Sequence, residues 1–292
     1  MKIELRAKHP FSFTSVVDSH GWARLAPFKT IEEKDDLTYI FRLGNQQVVK
    51  LDIKETSNGV SVAIPDEVSV EGVKEIKTAV AWMLALNENF QEFYKLTKSE
   101  SKLSHVEEKA QGRLLRSPTL FEDTVKTILT TNTSWSGTIR MTESLVTQFG
   151  DPLPGSNEQV SFPDPGIIAS SNEDTLRNET RLGYRAPYIL DLARQVDAGN
   201  LNLEALKNSD MSGEQLHKQL TSIKGVGNYA AANLMMLLGH YEYLTIDSWA
   251  LKMVSQEFFN GDPIRPDDVE GVFEAWGKWK GLAYWLWDWS EE

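Results

Sequence analysis

The N-terminal third of the chain contains short stretches in which apolar and polar residues alternate, as they do in half-buried β-strands. Residues 37–42, 47–53 and 59–64 have this pattern and are rich in β-branched or aromatic side chains. The Gly44-Asn45 pair between the first two stretches predicts a turn. Residues 70–86 change to helical spacing. The apolar positions of this helix are Val73, Ile76, Val80 and Met83. Together these patterns predict an antiparallel sheet followed by a helix.

From residue 112 onward the apolar pattern becomes helical. Pro118 suits the start of a helix, and a polar loop is expected at residues 130–137 before a second helix. The positions that form the apolar face of the first helix are Phe121, Val125, Ile128 and Leu129. This half of the chain is therefore predicted to be helical.

Residues 212–238 have the pattern of two helices joined by a tight turn. Ser212 followed by Gln215 is a capping-box pattern, which predicts the start of the first helix. The second helix is expected at residues 228–238, and Gly239 is a typical C-terminal stop. The stretch therefore predicts a helical hairpin.

The turn of this hairpin is the sequence Gly225-Val226-Gly227. Two glycines two positions apart let the backbone bend sharply and let another backbone come close. The amide groups at the start of the following helix have no intrahelical acceptor, and they lie at the positive end of the helix dipole. Such a turn can hold a phosphate, or its glycines can serve only to let two helices pack tightly. The hairpin alone leaves both interpretations open.

The hairpin and a later aspartate together resemble a known family. The run I-K-G-V-G-N-Y-A-A, with Asp247 twenty residues beyond Gly227, is similar to the helix-hairpin-helix/Gly-Pro-Asp (HhH-GPD) superfamily of DNA glycosylases. In that superfamily the hairpin grips DNA phosphate through backbone amides, which would be those of Gly225, Val226 and Gly227 here. The aspartate near the start of a later helix is the catalytic carboxylate. The loop before Asp247 departs from the family pattern because it lacks the proline.

The resemblance implies an α+β protein. A small antiparallel-sheet N-terminal domain at residues 1–105 is expected to precede a two-lobed, all-helical glycosylase body at residues 106–292, with the hairpin at residues 212–238. The N-terminal stretch resembles the alkyladenine and 8-oxoguanine branches of the superfamily. Trp22 and Phe28, within the segment that carries this resemblance, are expected in the core.

Composition limits the other possibilities. The absence of Cys excludes disulfides, thiol catalysis and the four-Cys iron–sulfur cluster of one branch of the superfamily. The sequence has no eighteen-residue apolar run and no apolar signal core, so we expect a cytoplasmic protein, at the nucleoid when bound to DNA, with no membrane partner.

The charge balance is unusual for a DNA-binding protein. The net charge is −12, which opposes nucleic-acid binding because a phosphate backbone attracts basic surfaces. We interpret four acidic clusters as solvated faces away from a DNA groove, and therefore predict weak, salt-sensitive binding to damaged double-stranded DNA. The clusters are Glu32-Glu33, Asp35-Asp36, Asp267-Asp268 and Glu291-Glu292.

Two positions carry the chemistry that the resemblance implies. Cleaving the bond between base and sugar builds positive charge on the sugar, and the Asp247 carboxylate can stabilise that charge in a dry site and orient or deprotonate water. Asp247 also suits an N-cap role, and the two roles are compatible.

Relatives that also cut the DNA backbone have a lysine at the position of Tyr229, and that lysine forms a Schiff base with the sugar. Tyrosine cannot do this, so the sequence predicts a monofunctional enzyme. Tyr229 can instead line the pocket for a flipped base or pack within the hairpin.

The loop at residues 130–137 resembles the one that fills the gap left by a flipped base. Asn132 falls at the asparagine that the 8-oxoguanine branch uses there, and Trp135 is an alternative wedge because aromatic rings stack on bases. Both residues can also be structural, with Asn132 in a capping loop and Trp135 packed on the protein. The segment L-G-Y-R-A also resembles the family, and its Arg185 can reach phosphate or form a structural salt bridge.

The lesion is predicted to be an alkylated purine of the 3-methyladenine type, because such a base is already cationic and aromatic rings attract cations. The alternatives are an 8-oxoguanine-type glycosylase and a DNA-binding module that has lost activity. The five C-terminal tryptophans are expected mainly in the core. The resemblance also implies a structural monovalent cation, Na⁺ or K⁺, on the backbone carbonyls of Thr221, Ile223 and Val226. No other cofactor is expected, and we expect a monomer.

Overall fold

The computed structural model describes residues 1–31, 36–156 and 158–289. The strands found there are β1 (Lys2–Arg6), β2 (Phe28–Ile31), β3 (Asp36–Arg42), β4 (Val48–Thr56) and β5 (Gly59–Ala63). The helices of the first half are α1 (Phe13–Val17), α2 (Val70–Met83), α3 (Gln91–Thr97), α4 (His105–Glu108), α5 (Leu120–Thr130) and α6 (Trp135–Phe149). Those of the second half are α7 (Pro165–Ala169), α8 (Ala186–Asp197), α9 (Gly213–Thr221), α10 (Asn228–Leu237), α11 (Ser248–Phe258), α12 (Pro266–Phe273) and α13 (Lys280–Leu286). The predicted α+β class is confirmed.

These elements belong to two compact units. The first contains Met1–Glu88 and Arg113–Ser209, and the second contains Asn89–Gly112 and Asp210–Glu292. The chain therefore leaves the first unit, enters the second, returns and leaves again. The predicted boundary at residue 105 falls inside the first segment of the second unit, because that unit takes up a short piece of chain from before the long helical region.

The first unit contains a five-stranded antiparallel sheet with the order β1-β5-β4-β3-β2. The three strands predicted from alternation are its central members β3, β4 and β5. The edge strands β1 and β2 were not predicted, because each is only four or five residues long and has only two apolar residues, with a charged residue between them. Phe28 and Trp22 are 4% and 6% exposed, as expected for core residues.

Two long helices of the first unit begin at hydroxyl caps. Ser69 Oγ accepts from Gly72 N at the start of α2, and Thr119 Oγ1 accepts from Glu122 N at the start of α5. Thr119, and not Pro118, is thus the cap of α5. The predicted apolar face of α5 is buried. Its C-terminal loop is shorter than predicted, since α6 already begins at Trp135.

One acidic cluster is not a solvated face. Asp36 is 7% exposed, and its Oδ2 lies 2.5 Å from Lys54 Nζ on the neighbouring strand. The antiparallel pairing of β3 with β4 brings the two side chains together, which the sequence pattern did not reveal. Asp267 is exposed, as predicted. The remaining predicted acidic faces, at Glu32-Glu33, Asp35 and Glu291-Glu292, lie outside the described residues.

The second unit is built from helices around an aromatic core. Tyr241 stacks on Trp279 with ring centroids 5.5 Å apart, and Phe93 lies 5.4 Å from the same indole. Trp287 is also buried, and its ring lies edge-on to Phe273. The prediction that C-terminal tryptophans form core is therefore confirmed for Trp279 and Trp287. None of the helices in the described part of the chain is long and apolar enough to cross a membrane.

Candidate active site

The predicted helical hairpin lies in the second unit as α9, a turn and α10. Its first helix begins at the predicted capping box, since Ser212 Oγ accepts from Gln215 N and Gln215 Oε1 accepts from Ser212 N at 3.0 Å. In the turn, Gly225 has a φ of +87°, in the left-handed region that favours glycine. Val226 donates its amide to the Ile223 carbonyl at 3.0 Å and buries its side chain. The turn is therefore held by its own backbone and by one apolar anchor.

Gly227 is the N-cap residue of α10. It has no side chain with which to accept from the first-turn amides, whereas Ser212 caps α9 and Asp247 caps α11. Gly227 is exposed, its φ of −87° suits any residue, and no described atom lies within 4 Å of the position that a Cβ would take. Neither local strain nor packing within the protein requires glycine here. What the glycine provides is an open approach to the uncapped positive end of the helix.

Asp247 is the N-cap of α11. Its Oδ1 accepts from Ala250 N at 2.9 Å, which fixes the carboxylate at the first turn of that helix. The residue is exposed, so the unbound protein does not supply the dry site that was expected around this carboxylate. A ligand covering the residue would be needed to exclude water from it.

Burial and the negative charge of this carboxylate together raise the pKa of two tyrosines. Burial raises the pKa of the Tyr229 phenol, and the negative charge of Asp247 raises it further. Burial also raises the pKa of the Tyr284 phenol, and the charges of Asp247 and then of Tyr229 raise it further. Tyr229 is the second residue of α10, and Tyr284 is a buried residue of α13. The fold thus brings together the start of the second hairpin helix, the N-cap of α11 and the last helix.

Tryptophan rings extend this cluster. Trp249, two residues after Asp247, is 48% exposed, and its ring lies 5.9 Å from that of Trp289 at an interplanar angle of 80°. The Trp289 ring lies 5.6 Å from Tyr284. Trp249 and Trp289 therefore continue the aromatic cluster that contains Tyr284, and the Trp249 part of it is exposed. Sequence reasoning did not single out Tyr284 or Trp249, because nothing in the pattern indicated which aromatic residues of α11 and α13 lie near Asp247.

The candidate wedge residues lie in the first unit. Asn132 is exposed with a φ of +48°, and its Nδ2 donates to the Tyr184 hydroxyl at 3.3 Å. Tyr184 is 44% exposed and donates its hydroxyl to the Thr131 carbonyl at 3.2 Å. Trp135 instead packs its ring against Gly21, where an added Cβ would lie 2.8 Å from the indole. Asn132 of this loop and Tyr184, which lies beside it, are therefore both exposed to solvent, and Tyr184 is a residue that sequence reasoning missed.

Arg185 supports this loop from beneath. It is 6% exposed, it donates to the Thr131 carbonyl, and its guanidinium carbon lies 4.4 Å from the centre of the Tyr184 ring. No described residue forms an ion pair with Arg185, whose guanidinium is used in these contacts within the first unit. The expected salt bridge of Arg185 is not found among the described residues, because the loop between α5 and α6 supplies a backbone carbonyl as its acceptor instead.

The proposed cation ligands all belong to the hairpin. Thr221 ends α9, Ile223 and Val226 lie in the turn, and the Ile223 carbonyl accepts from the Val226 amide. Neutral carbonyl oxygens are donors that hard cations accept, and a carbonyl with one hydrogen bond keeps a second lone pair. The donor set therefore fits a hard monovalent cation.

Comparison with known proteins gives a consistent result. Residues 125–278, more than half of the chain, match the family model described as "HhH-GPD superfamily base excision DNA repair protein". A Bacillus subtilis protein named "Putative DNA-3-methyladenine glycosylase YfjP" is 27% identical over 201 residues, which cover 68% of this chain and 67% of that protein.

Two solved structures share the fold along nearly the whole chain. A 3-methyladenine DNA glycosylase from Archaeoglobus fulgidus aligns with a TM-score of 0.76 at 20% identity, over 98% of this chain and 97% of that one. The 8-oxoguanine glycosylase/lyase of Clostridium acetobutylicum aligns with a TM-score of 0.75 at 19% identity, over 96% and 93% of the two chains.

Proposed function

The chain belongs to the HhH-GPD superfamily of base excision DNA repair proteins, and from this premise we propose that it is a monofunctional DNA glycosylase. Its substrate is a damaged purine in double-stranded DNA, of the alkylated, 3-methyladenine type. The observation that carries the proposal is the position of Asp247, fixed as the N-cap of α11 beside Tyr229 and Tyr284.

The proposed reaction begins with the damaged nucleotide flipped out of the duplex. The glycosidic bond then breaks, the base leaves with the bonding electrons, and positive charge develops on the sugar. The Asp247 carboxylate stabilises that charge and orients a water molecule that attacks the sugar carbon. Because Asp247 is exposed in the unbound protein, the DNA itself completes the dry site.

The hairpin anchors the DNA backbone. Val226 uses its amide inside the turn, which leaves Gly225, Gly227 and the first turn of α10 as the donors for a phosphate oxygen. The open space at Gly227 lets the phosphate approach the backbone closely. A Na⁺ or K⁺ ion on the carbonyls of the same hairpin would add positive charge next to that phosphate.

Two features support the proposed choice of lesion and reaction. Tyr229 stands where lyase relatives have their Schiff-base lysine, so the product is an intact abasic site. The aromatic residues around Asp247 attract a base that already carries positive charge, as an alkylated purine does. The relative from Bacillus subtilis bears a 3-methyladenine glycosylase name.

An 8-oxoguanine-type glycosylase is the second candidate. The exposed Asn132 favours it, since this residue falls at the asparagine of that branch, and the Clostridium acetobutylicum enzyme has a nearly equal TM-score. In either case we propose that Asn132 and Tyr184 enter the space that the flipped base has left, whereas Trp135 keeps a structural role.

Base release from two substrates tests the proposal. Methylated DNA and an 8-oxoguanine duplex are incubated with excess protein at low salt, and alkali then reveals abasic sites. We expect release of methylated purines, strand breaks only after alkali, and no protein–DNA adduct after borohydride reduction. Release of 8-oxoguanine alone would favour the second candidate function. A protein–DNA adduct after borohydride reduction would refute monofunctional chemistry. Release of no base from either substrate would indicate a DNA-binding module without glycosylase activity.

A further inference from the structure

A cavity of about 560 Å³ lies in the first unit, well within the size range of small-molecule sites. It is bordered by the C-terminal half of α2, by the segment leading to α5 and by the 3₁₀ turn Glu204–Asn208. None of the described residues that line it belongs to the hairpin, to the Asp247 cluster or to the Asn132 loop. The proposed glycosylase mechanism does not use this cavity.

Basic side chains surround an indole in its wall. The Arg116 guanidinium carbon lies 4.3 Å from the centre of the Trp82 ring, and Lys207 Nζ lies 4.7 Å from it. The indole is fixed because Trp82 Nε1 donates to the Ser117 carbonyl at 3.1 Å. Lys77, an exposed residue of α2, adds a third positive charge to the lining. This concentration of cations is unusual in a chain with a net charge of −12.

The acidic partners balance only part of this charge. Arg116 donates to Glu88, and Lys207 Nζ lies 2.5 Å from Glu204. No ion pair within the described part of the chain involves Lys77. Three cations against two carboxylates leave an excess of positive charge around the cavity.

Arg116 is the least satisfied of these groups. It is 3% exposed, and its buried Nε has no hydrogen-bond partner among the described residues. A guanidinium carries five N–H donors in a planar fork, and a buried donor without an acceptor is costly. Such a side chain in a cavity wall favours a ligand that brings several acceptor oxygens and negative charge.

We propose that this cavity binds a phosphate group, held by Arg116, Lys77 and Lys207. A phosphate carries the negative charge that the lining lacks, and its oxygens are acceptors of the kind that guanidinium and ammonium groups bind. The phosphate comes either from a small phosphate compound or from a DNA backbone. The site stands on the charges and geometry of the first unit and does not depend on the proposed glycosylase activity.

Titration calorimetry of the full chain with pyrophosphate and with a deoxynucleoside monophosphate tests the site. We expect saturable binding that Lys77→Gln weakens by roughly twofold to fivefold, as is typical for one exposed charge. Lys74→Gln is the matched control, because Lys74 is exposed on the same helix but does not line the cavity. Arg116→Gln should weaken binding by about tenfold or more.

Binding to undamaged duplex at several salt concentrations distinguishes the two sources. If a DNA phosphate occupies the cavity, Lys77→Gln lowers the salt dependence by about one phosphate contact while Lys74→Gln does not. If the ligand is a small phosphate compound, both variants bind duplex like the parent and only the calorimetry changes. The proposal is overturned if the parent binds neither probe and its duplex binding is unaffected by Lys77→Gln. It is also overturned if Lys77→Gln and Lys74→Gln weaken binding of the calorimetric probes equally. Base release, measured in parallel, reports separately on the glycosylase.

Discussion

Replacing Asp123 by Asn should change how stability depends on pH, because the buried Asp123 carboxyl and the half-buried His20 change stability with pH in opposite directions. Asp123 Oδ1 accepts from Trp22 Nε1 at 2.8 Å and from Ser117 N at 2.9 Å, while Oδ2 has no hydrogen-bond partner among the described residues. Burial raises the pKa of Asp123 from 3.8 to about 6, although these hydrogen bonds lower it. Burial lowers the pKa of His20 from 6.5 to about 4, against the hydrogen bond with the Leu115 carbonyl, which raises it.

Asp123 and His20 make the stability of the fold depend on pH in opposite directions. Asp123 binds its proton more tightly in the folded state, so the stability it contributes is present below pH 3.8 and is lost as the pH rises through 6. His20 binds its proton more weakly in the folded state, so its contribution is present above pH 6.5 and is lost as the pH falls through 4. Each shift is worth about 3 kcal/mol. In the parent protein the two contributions nearly cancel between pH 4 and 6.5.

Urea unfolding of the parent and of Asp123→Asn across this pH range tests this balance. The asparagine keeps the Oδ1 acceptor and places an unpartnered amide at Oδ2, which costs the same at every pH. The free energy of unfolding of the variant, relative to the parent, should therefore rise by about 3 kcal/mol from pH 3.5 to 7. His20→Gln serves as the control of opposite sign, since its relative stability should rise as the pH falls. A difference between Asp123→Asn and the parent that stays constant over this range would refute the reasoning.

Four further predictions concern the candidate site. Gly227→Ala should fold with a loss of less than about 1 kcal/mol, because its φ is negative and its Cβ meets no atom, yet it should weaken duplex binding by about tenfold. Gly225→Ala should lose about 1–2 kcal/mol of stability because of its positive φ. Asn132→Ala and Tyr184→Ala should slow base release from duplex but not from single-stranded DNA, since only a duplex has a gap to fill. Tyr229→Leu should lower binding of a methylated purine by about tenfold through loss of the aromatic face.

Each of these predictions has a result that would contradict it. Thermal unfolding and duplex titration separate the two glycine variants, and normal duplex binding by folded Gly227→Ala would exclude a phosphate at this helix end. Trp135→Phe is the matched control for the wedge variants, and an equal loss with that variant would mean that the loop acts through folding alone. If the Tyr229→Leu variant and the parent bound a cationic purine equally well, and each bound a neutral purine just as tightly, the proposed cation–aromatic recognition would be refuted.

The elements governed by local signals were predictable from sequence. The capping box at Ser212, the two hairpin helices and the N-cap at Asp247 depend on residues three or four positions apart, and each is confirmed. The apolar face of α2 is buried at three of its four predicted positions, and Val73 is half-buried. The central strands have the same local character. The resemblance to the family came from one short run and one aspartate, and the family model confirms it.

What depends on distant residues was not predictable. Each unit consists of two segments that are far apart in the chain, and no single stretch of sequence predicts that they pack together. The pairing of Asp36 with Lys54 and the burial of Arg185 beneath Tyr184 have the same cause. Tyr284 looked like one aromatic residue among many, and only the fold places it within the influence of Asp247.

The measurement that tests the central claim most directly is single-turnover base release by Asp247→Asn. Asparagine is as good an N-cap as aspartate, so the hydrogen bond from Ala250 N and the start of α11 should survive while the charge is lost. The account predicts a variant that folds and binds damaged duplex like the parent but releases base at least about a thousandfold more slowly. Release at the parental rate by the folded variant would show that Asp247 caps a helix and does not perform the chemistry.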